Sequence, residues 1–311
     1  MELFKSLKTL FRKIVLYPFG YDLVPLAKSS PPPLVARPSN SEEEPVNDSL
    51  KAYIEWFGEE AVGERRFYNL GAEAGFTHPA WTVINHPSEH YGRDYMDIQW
   101  DLMSGAPLPI EDGKAKVIFS RYTLEHVTDA AVSHFLSEAR RVLAKGGFLR
   151  LIVPDIDLYY AAYRMKDADF FYRPKQDNES YPNRKYLSNP NQASFEQRFL
   201  WNFASSATIL HPDPAANPIS DQEFQRVFSE LGYADALNFC TAKASIEIQR
   251  RYPENHINWF NATKVKRMLT EAGFEQTYRS GYGQSHCPVL RDVALLEARQ
   301  PEVGLFFEAV R

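Results

Sequence analysis

The sequence predicts an α/β fold, with a doubly wound, mostly parallel sheet and a largely helical insertion. Short apolar segments alternate with helices and polar turns, a pattern typical of a parallel sheet that is covered on both faces. A strongly periodic helical segment is broken at Gly146 and Gly147 and leads into the continuous apolar run 148–153. The tract between Tyr159 and Ile257 is too long to be a loop, and its periodic pieces predict further helices.

Seven segments have the apolar, β-branched and aromatic content of strands. They are residues 67–70, 81–84, 96–102, 115–120, 148–153, 274–282 and 304–310. Only about ten residues separate the first two, too few for the helix that a parallel crossover usually contains. Helical spacing predicts helices over residues 129–143, 195–203, 221–231, 234–251 and 263–272.

The chain is expected to have three parts. Residues 1–28 contain apolar side chains at helical spacing with lysine and arginine between them, which indicates an amphipathic helix. That helix either lies on a membrane surface or packs on its own domain or a partner subunit. Residues 29–48 are proline-rich and acidic, which is typical of a linker. A helix cap at Asp48 and Ser49 begins the main domain, 49–311, with an insertion or lid at about 160–255.

Composition disfavours several functional classes. The 311 residues include 35 Lys and Arg against 40 Asp and Glu, a net charge of -5 without a long run of one sign, which argues against nucleic-acid binding. The two cysteines, Cys240 and Cys287, lack the spacing of a zinc site or a disulfide framework, so no metal is expected. No apolar stretch is long enough to span a bilayer. A cytoplasmic protein is therefore expected, with residues 1–16 as the segment that would contact a membrane surface or a partner.

One series of motifs is the most specific signal in the chain. Asp101-Leu102 closes the third predicted strand, Leu124-Glu125-His126 follows the fourth, and Arg140-Arg141-Val142-Leu143 stands shortly before Gly146-Gly147. In this order the motifs resemble those of class I S-adenosylmethionine-dependent methyltransferases, and among them the methyltransferase-11-like family. The resemblance covers residues 67–155 clearly and 256–310 more loosely. It implies a Rossmann-like methyltransferase fold with S-adenosylmethionine as the cofactor.

The resemblance assigns cofactor binding to the turns after the first four strands. Gly71 would let the backbone approach the cofactor closely, Asn85 would hold the ribose more weakly than the usual carboxylate, and Asp101 would face the adenine. Glu73 would either repel the cofactor carboxylate or pair with its ammonium group. Three of these residues could instead have a purely structural role. Gly71 would be an ordinary turn glycine, Asn85 a turn residue and Asp101 the cap of the loop after its strand. The full set of implied cofactor residues is Asn69, Gly71, Ala72, Glu73, Asn85, Asp101, Leu102 and Tyr122.

Three residues are candidates for catalysis at the rim formed by the carboxyl ends of the strands. His126 would act as a general base on a hydroxyl, or would organise its loop against the cofactor. Asp155 would orient the substrate or take a proton, or would cap the next helix. His256 is similar in position to a histidine that relatives carry before the helix leading to the sixth strand. It would face the site from the lid, unless it is an ordinary surface histidine.

The expected reaction is O-methylation of a sugar, a polysaccharide or a small-molecule hydroxyl, in polysaccharide or natural-product biosynthesis. The aromatic residues of the insertion favour a sugar if they stack on its rings, or they form the insertion's own core. A degenerate, non-catalytic methyltransferase fold that binds a ligand or partner is the alternative that Glu73 and Asn85 favour. A nicotinamide-dependent oxidoreductase is poorly supported, because the Gly-x-Gly-x-x-Gly pattern is absent.

Overall fold

A seven-stranded sheet forms the centre of the computed structural model, which describes residues 46–86, 96–172, 193–298 and 300–311. The strands are β1 Phe67–Leu70, β2 Trp81–Asn85, β3 Ile98–Gln99, β4 Ala115–Arg121, β5 Leu143–Pro154, β6 Gln276–Arg279 and β7 Gly304–Val310. Their order across the sheet is β3-β2-β1-β4-β5-β7-β6. Neighbours from β3 to β5 pair in parallel, whereas β7 lies antiparallel between β5 and β6. The predicted fold class is confirmed.

Helices flank this sheet and fill the insertion. In chain order they are α1 Val46–Gly63, α2 Asp129–Val142, α3 Ile156–Met165, α4 Ala168–Tyr172, α5 Phe195–Trp201, α6 Asp221–Glu230, α7 Tyr233–Ala242, α8 Ile246–Arg251, α9 Ala262–Glu271 and α10 Val293–Leu296. Short 3-10 helices lie at Leu102–Ser104, Leu124–His126, Ser205–Ala207, Pro288–Arg291 and Pro301–Val303. None of the helices in the described part of the chain is long and apolar enough to cross a membrane.

The two faces of the sheet bury different cores, because successive side chains of a strand point to opposite sides. On β4, Ile118 belongs to the core that α2 and α9 cover. Val117 and Phe119 belong to the core that α1 and the 3-10 helix Pro288–Arg291 cover. β4 is thus buried on both sides, which explains why its sequence reads as a continuous apolar run.

Several predicted boundaries differ in the structure, and three of them have a clear local cause. β3 contains only Ile98–Gln99, because Asp101 caps the following 3-10 helix instead of extending the strand. α1 begins at Val46, so residues 46–48 are helical rather than part of a linker. α2 ends at Val142, because Leu143 pairs with Ala115 and starts β5. The predicted amphipathic helix at residues 1–28 and the linker residues 29–45 lie outside the described residues.

The insertion builds a core of its own from aromatic side chains. Phe224 and Phe228 of α6 stack with 4.3 Å between ring centroids. Phe199 of α5 and Tyr160 of α3 pack around them. These aromatic rings therefore take the structural role that the sequence left open beside sugar stacking. The stretch predicted as one helix over 234–251 is divided into α7 and α8, because Ser245 caps α8.

A buried ion-pair network ties two loop segments to the middle of the sheet. Arg150 of β5 is fully buried, and its guanidinium contacts the carboxylates of Glu297 and Glu308. It also donates to the backbone carbonyl groups of Gly281 and Gln284, at 3.0 and 2.8 Å. The loop after β6 and the residues after α10 are thus held against the sheet by one side chain.

Candidate active site

The carboxyl ends of β1 and β4 lie side by side in the sheet, and a cavity of about 290 Å³ opens beside them. Its walls come from the turn after β1, the end of β4 and residues around α10. Four of the eight predicted cofactor residues line it, namely Asn69, Gly71, Ala72 and Glu73. The other four, Asn85, Asp101, Leu102 and Tyr122, lie on neighbouring turns outside its lining.

Gly71 turns the chain sharply at the end of β1. Its φ of 74° lies in the left-handed region that favours glycine, and its N–H donates to the Ile84 carbonyl oxygen at 2.9 Å. A β carbon at this position would overlap the side chain of Thr123 in the loop after β4. The sequence predicted that the lack of a side chain at Gly71 lets the cofactor come close to the backbone. On the side where a β carbon would project, the group that comes close is the side chain of Thr123.

Arg121, at the end of β4, forms an ion pair with Glu73 across the cavity. The Arg121 side chain is only 12% exposed, and its Nη1 atom is buried without a hydrogen-bond partner among the described residues. The guanidinium offsets the negative charge of Glu73, whose repulsion of the cofactor carboxylate was one of the two sequence-based readings. Arg121 was not among the predicted site residues. One signal could have found it. Arg121 is a cation at the end of β4, and β4 lies next to β1, whose turn carries Glu73.

Asn85 and Asp101 make local hydrogen bonds of the kind expected if they stabilise their turns. Asn85 Nδ2 donates to the Ala72 carbonyl oxygen at 3.1 Å, and its Oδ1 accepts from His86 N at 2.9 Å. Asp101 Oδ1 accepts from Met103 N at 2.8 Å and caps the 3-10 helix Leu102–Ser104. These bonds hold the turns after β2 and β3 in place, and their roles toward a cofactor stay predictions.

Tyr122 has a backbone conformation that is unusual for an aromatic residue. Its φ of 49° is left-handed, and its N–H donates to the Ile152 carbonyl oxygen of β5 at 2.8 Å. The phenol donates to the Gln300 carbonyl oxygen at 2.6 Å, and burial raises the pKa of the phenol. Tyr122 is therefore anchored toward β5 and the segment before β7.

Two predicted catalytic residues that are far apart in the chain meet beside the 3-10 helix Leu124–His126. The ring centroids of His126 and His256 are 4.8 Å apart, with an interplanar angle of 79°. Glu125 lies next to them, 1% exposed, and neither of its carboxylate oxygens has a hydrogen-bond partner among the described residues. We call these three residues the Glu-His-His cluster. Glu125 belongs to the motif but was not singled out, because its complete burial is set by tertiary packing.

The insertion and the segment before α9 hold the Glu-His-His cluster together. His256 Nδ1 lies 2.7 Å from the Asn202 carbonyl oxygen, and His256 N donates to Ser205 Oγ at 3.0 Å. His126 Nδ1 lies 3.1 Å from the Asn255 carbonyl oxygen. Because a carbonyl oxygen only accepts hydrogen bonds, these contacts place the ring proton of each histidine on Nδ1, and the Tyr122 backbone is a further acceptor beside the His126 ring.

Burial controls the protonation of the Glu-His-His cluster. It raises the pKa of Glu125 to about 8. It lowers the pKa of His126, and it lowers the pKa of His256 to about 3, with the nearby His126 as a further cause. Both imidazoles are therefore neutral at pH 7, and the lowered pKa makes His256 a weak proton acceptor.

Asp155 has the capping role that was one of its two predicted alternatives. Its carboxylate accepts from Asp157 N at 3.2 Å at the start of α3 and pairs with Arg279 at 3.1 Å. Burial raises the pKa of Asp155. A role in orienting the substrate or taking a proton stays a prediction.

Residues 77–151 match a family model described as a methyltransferase domain, methyltransferase-11. No curated protein sequence matches the chain. Among solved structures, a methyltransferase from Mesorhizobium loti shares 14% identity, with 81% of this chain and 93% of that one covered, at a TM-score of 0.37. One from Archaeoglobus fulgidus shares 9% identity, with 86% and 93% covered, at 0.37. One from Thermotoga maritima, described as a possible histamine N-methyltransferase, shares 14% identity, with 79% and 81% covered, at 0.34.

The segment matched by the family model contains β2, β3, β4, the Leu124–His126 turn, α2 and most of β5. β1 with its glycine turn lies just before it and completes the edge of the sheet where the cavity opens. Over residues 77–151 the chain is therefore similar to the methyltransferase-11 family of S-adenosylmethionine-dependent methyltransferases.

Proposed function

We propose that the chain methylates a hydroxyl oxygen of a sugar or a small molecule. We call the turn after β1 that contains Gly71 the cofactor turn. The observation that supports the proposal most directly is that the loop after β4 packs on the cofactor turn and also carries part of the Glu-His-His cluster. Thr123 packs beside Gly71, and the next residues along the chain form the Leu124–His126 turn. Side chains that can accept the hydroxyl proton thus belong to the same loop that packs on the cofactor turn.

The cavity fits the amino-acid end of S-adenosylmethionine in its charges. That end carries a carboxylate and an ammonium group, and the cavity wall carries the guanidinium of Arg121 and the carboxylate of Glu73. A carboxylate at Arg121 would satisfy the buried Nη1 atom, which has no partner among the described residues. We therefore assign the cofactor carboxylate to Arg121 and the ammonium group to Glu73.

The other cofactor residues would act from the neighbouring turns, as the family resemblance implies. The carboxylate of Asp101 has lone pairs beyond the one used in its local bond. Asn85 would hold the ribose, and Asp101 would hold the adenine amino group with Leu102 beside it. Asn69 and Ala72 would contact the cofactor from the cavity wall.

The bound cofactor supplies an electrophilic methyl group on a sulfonium sulfur. The protein has to place the acceptor oxygen in line with that methyl group, exclude water and deal with the hydroxyl proton. His126 is suited to the last task, because it is neutral and its Nε2 lone pair can accept a proton. His256 offers a second neutral imidazole in contact with the first.

A sugar hydroxyl is the first candidate acceptor, because the insertion that holds His256 is rich in aromatic side chains. Its described rings pack largely against one another, so a bound sugar would meet only the edge of that core. A role in polysaccharide or natural-product biosynthesis and a cytoplasmic location stay predictions of the sequence. So does contact with a membrane or partner through residues 1–16, which lie outside the described residues.

The case for a non-catalytic binding protein rested on Glu73 and Asn85. The ion pair with Arg121 removes most of the repulsion that Glu73 alone would exert on the cofactor carboxylate. Asn85 is a weaker ribose ligand than a carboxylate, and this lowers the affinity for the cofactor without blocking transfer. Neither residue therefore argues strongly against catalysis.

The test of this function has two steps. Calorimetric titration with S-adenosylmethionine and S-adenosylhomocysteine is expected to give micromolar binding, which Asp101→Ala weakens at least tenfold. Asp235→Ala, at an exposed aspartate of α7, is the matched control and leaves binding unchanged. Transfer of a labelled methyl group to sugars and small hydroxyl compounds is then measured. If only amines or carboxylates are labelled, the proposal that the methyl acceptor is a hydroxyl oxygen is wrong.

A further inference from the structure

We propose that Glu125, His126 and His256 bind a divalent transition-metal ion of the zinc type, which holds the acceptor oxygen. The role of the ion rests on the proposed function, whereas the binding site does not. Two imidazole nitrogens and a carboxylate oxygen are a donor set that catalytic Zn²⁺ sites use, and the same set suits Fe²⁺. No metal was expected from the sequence, because the two cysteines lack the spacing of a zinc site.

The spacing of the three side chains suits one ion. A potential ligand atom from each residue lies within 4.8 Å of the other two. Atoms bound to one tetrahedral Zn²⁺ at about 2.1 Å are separated by roughly 3.4 Å. Side-chain movements of about an ångström would therefore bring the three donors to bonding distance.

Both imidazoles are oriented as metal-ligating histidines usually are. The carbonyl oxygens of Asn255 and Asn202 receive the Nδ1 protons of His126 and His256, at 3.1 and 2.7 Å. Such hydrogen bonds from the far ring nitrogen fix the tautomer and the ring plane of a ligand. The lone pair on each Nε2 is then available for an ion.

Glu125 supplies an independent indication. Its side chain is fully buried, yet both carboxylate oxygens lack a hydrogen-bond partner in the part of the chain that the structure describes. Burying a carboxylate without a partner is costly, and such groups are normally paired or bound to a metal. A divalent cation between Glu125 and the two imidazoles would stabilise the ionised carboxylate, which burial alone disfavours.

The site would keep a coordination position for a substrate. Three protein ligands leave the fourth position of a tetrahedral ion open, which distinguishes catalytic from structural zinc sites. His126 and His256 each keep part of their surface exposed. Because Thr123 links this turn to Gly71, an oxygen on the ion would be close to the cofactor turn. With both imidazoles bound to the ion, the ion rather than His126 would activate the acceptor. It would bind the hydroxyl oxygen and lower its pKa, the proton would pass to water, and the oxygen would attack the methyl group as the methyl–sulfur bond breaks.

The experiment uses full-length protein that has been stripped with a chelator and dialysed. Zn²⁺ binding is measured by calorimetry, and Co²⁺ is added as a spectroscopic probe of the ligand geometry. About one ion per chain and a visible Co²⁺ absorption band are expected. Glu125→Gln and His256→Ala should each weaken binding at least tenfold, and His286→Ala, at an exposed histidine, should leave it unchanged.

Circular dichroism and thermal unfolding show whether each variant is folded. If folded wild-type protein binds no Zn²⁺, or if His286→Ala weakens binding as much as His256→Ala, the site is refuted. S-adenosylmethionine binding to the stripped protein is measured in parallel, so that a failed cofactor site is recognised separately. Undiminished methyl transfer by the stripped protein would refute the role of the ion in holding the acceptor.

Discussion

The side chain of Thr123 fills the space beside Gly71, where any β carbon would project. Thr123 Oγ1 lies 3.1 Å from the carbonyl oxygen of Arg121 and 3.3 Å from that of Leu70. The turn after β1 and the loop after β4 are therefore packed directly on each other. Through this contact, the cofactor turn and the Glu-His-His cluster are parts of one assembly.

Gly71→Ala is expected to lower the free energy of unfolding by about 3 kcal/mol, because left-handed strain adds to the overlap with Thr123. Gly75→Ala is the matched control, since Gly75 has a φ of 88° but nothing within 4 Å of its added β carbon. It should cost only about 1 kcal/mol. Adding Thr123→Ala to Gly71→Ala should recover part of the loss in urea denaturation. Equal losses at Gly71 and Gly75 would contradict the packing argument.

Arg121→Met is expected to weaken S-adenosylmethionine binding about tenfold or more, because a charged hydrogen bond to the cofactor carboxylate is lost. Calorimetry with 5′-methylthioadenosine, which lacks the amino-acid end, should show equal affinity for wild type and variant. Arg226→Met, at a surface ion pair on α6, is the control for loss of an arginine. A similar loss of affinity for both ligands would mean that Arg121 supports the site only indirectly.

Arg150→Met is expected to destabilise the fold by about 4 kcal/mol, because two buried carboxylates lose their counter-charge. Glu297 and Glu308 are each about 1% exposed or less, so water cannot replace the guanidinium. The measurement is the free energy of unfolding from urea titration at pH 7. A loss below about 1 kcal/mol, the range of exposed ion pairs, would show that the network is not needed.

Lowering the pH from 7 to 5 is expected to destabilise the wild type more than the variant His78→Asn. His78 Nδ1 accepts a hydrogen bond from Ala80 N at 3.2 Å, and its ring packs on Tyr53. Burial lowers the pKa of His78 below its usual 6.5, although Asp292 opposes this shift. As the pH falls, the His78 imidazole is therefore protonated in the unfolded chain at a higher pH than in the folded protein. The free energy of unfolding decreases as the pH falls below 6.5.

Urea midpoints at pH 7, 6 and 5 measure this difference, with His286→Asn as the control at an exposed histidine. If the pH dependence of His78→Asn equals that of the wild type, protonation of His78 does not contribute to acid destabilisation.

The strand pattern was predictable where one local preference dominates. β7 has the predicted bounds, because Leu305, Phe306, Phe307 and Val310 are large apolar residues and a 3-10 helix with proline precedes it. β3 was overestimated, because Asp101 competes for the backbone through its cap. The end of α2 was missed by one residue, since pairing of Leu143 with Ala115 is a tertiary effect.

The candidate site was predictable in its residue types but not in its contacts. His126 and His256 were each singled out, yet nothing local indicates that residues this far apart meet. The Arg121–Glu73 pair depends on β1 and β4 being neighbours, which follows from strand order rather than from chain order. The burial of Glu125 is likewise a property of the packed structure.

The segment that carries His256 contacts both the loop after β4 and the insertion. Ile257 N donates to the Glu125 carbonyl oxygen at 2.9 Å, and Asn258 Nδ2 donates to that of Val127 at 3.0 Å. Asn202 and Ser205 of the insertion accept hydrogen bonds from His256 in the same segment. An insertion that swings aside to admit an acceptor would therefore pull His256 away from His126. The reactive arrangement would exist only in the closed state, so closure itself would act as the checkpoint for the correct acceptor.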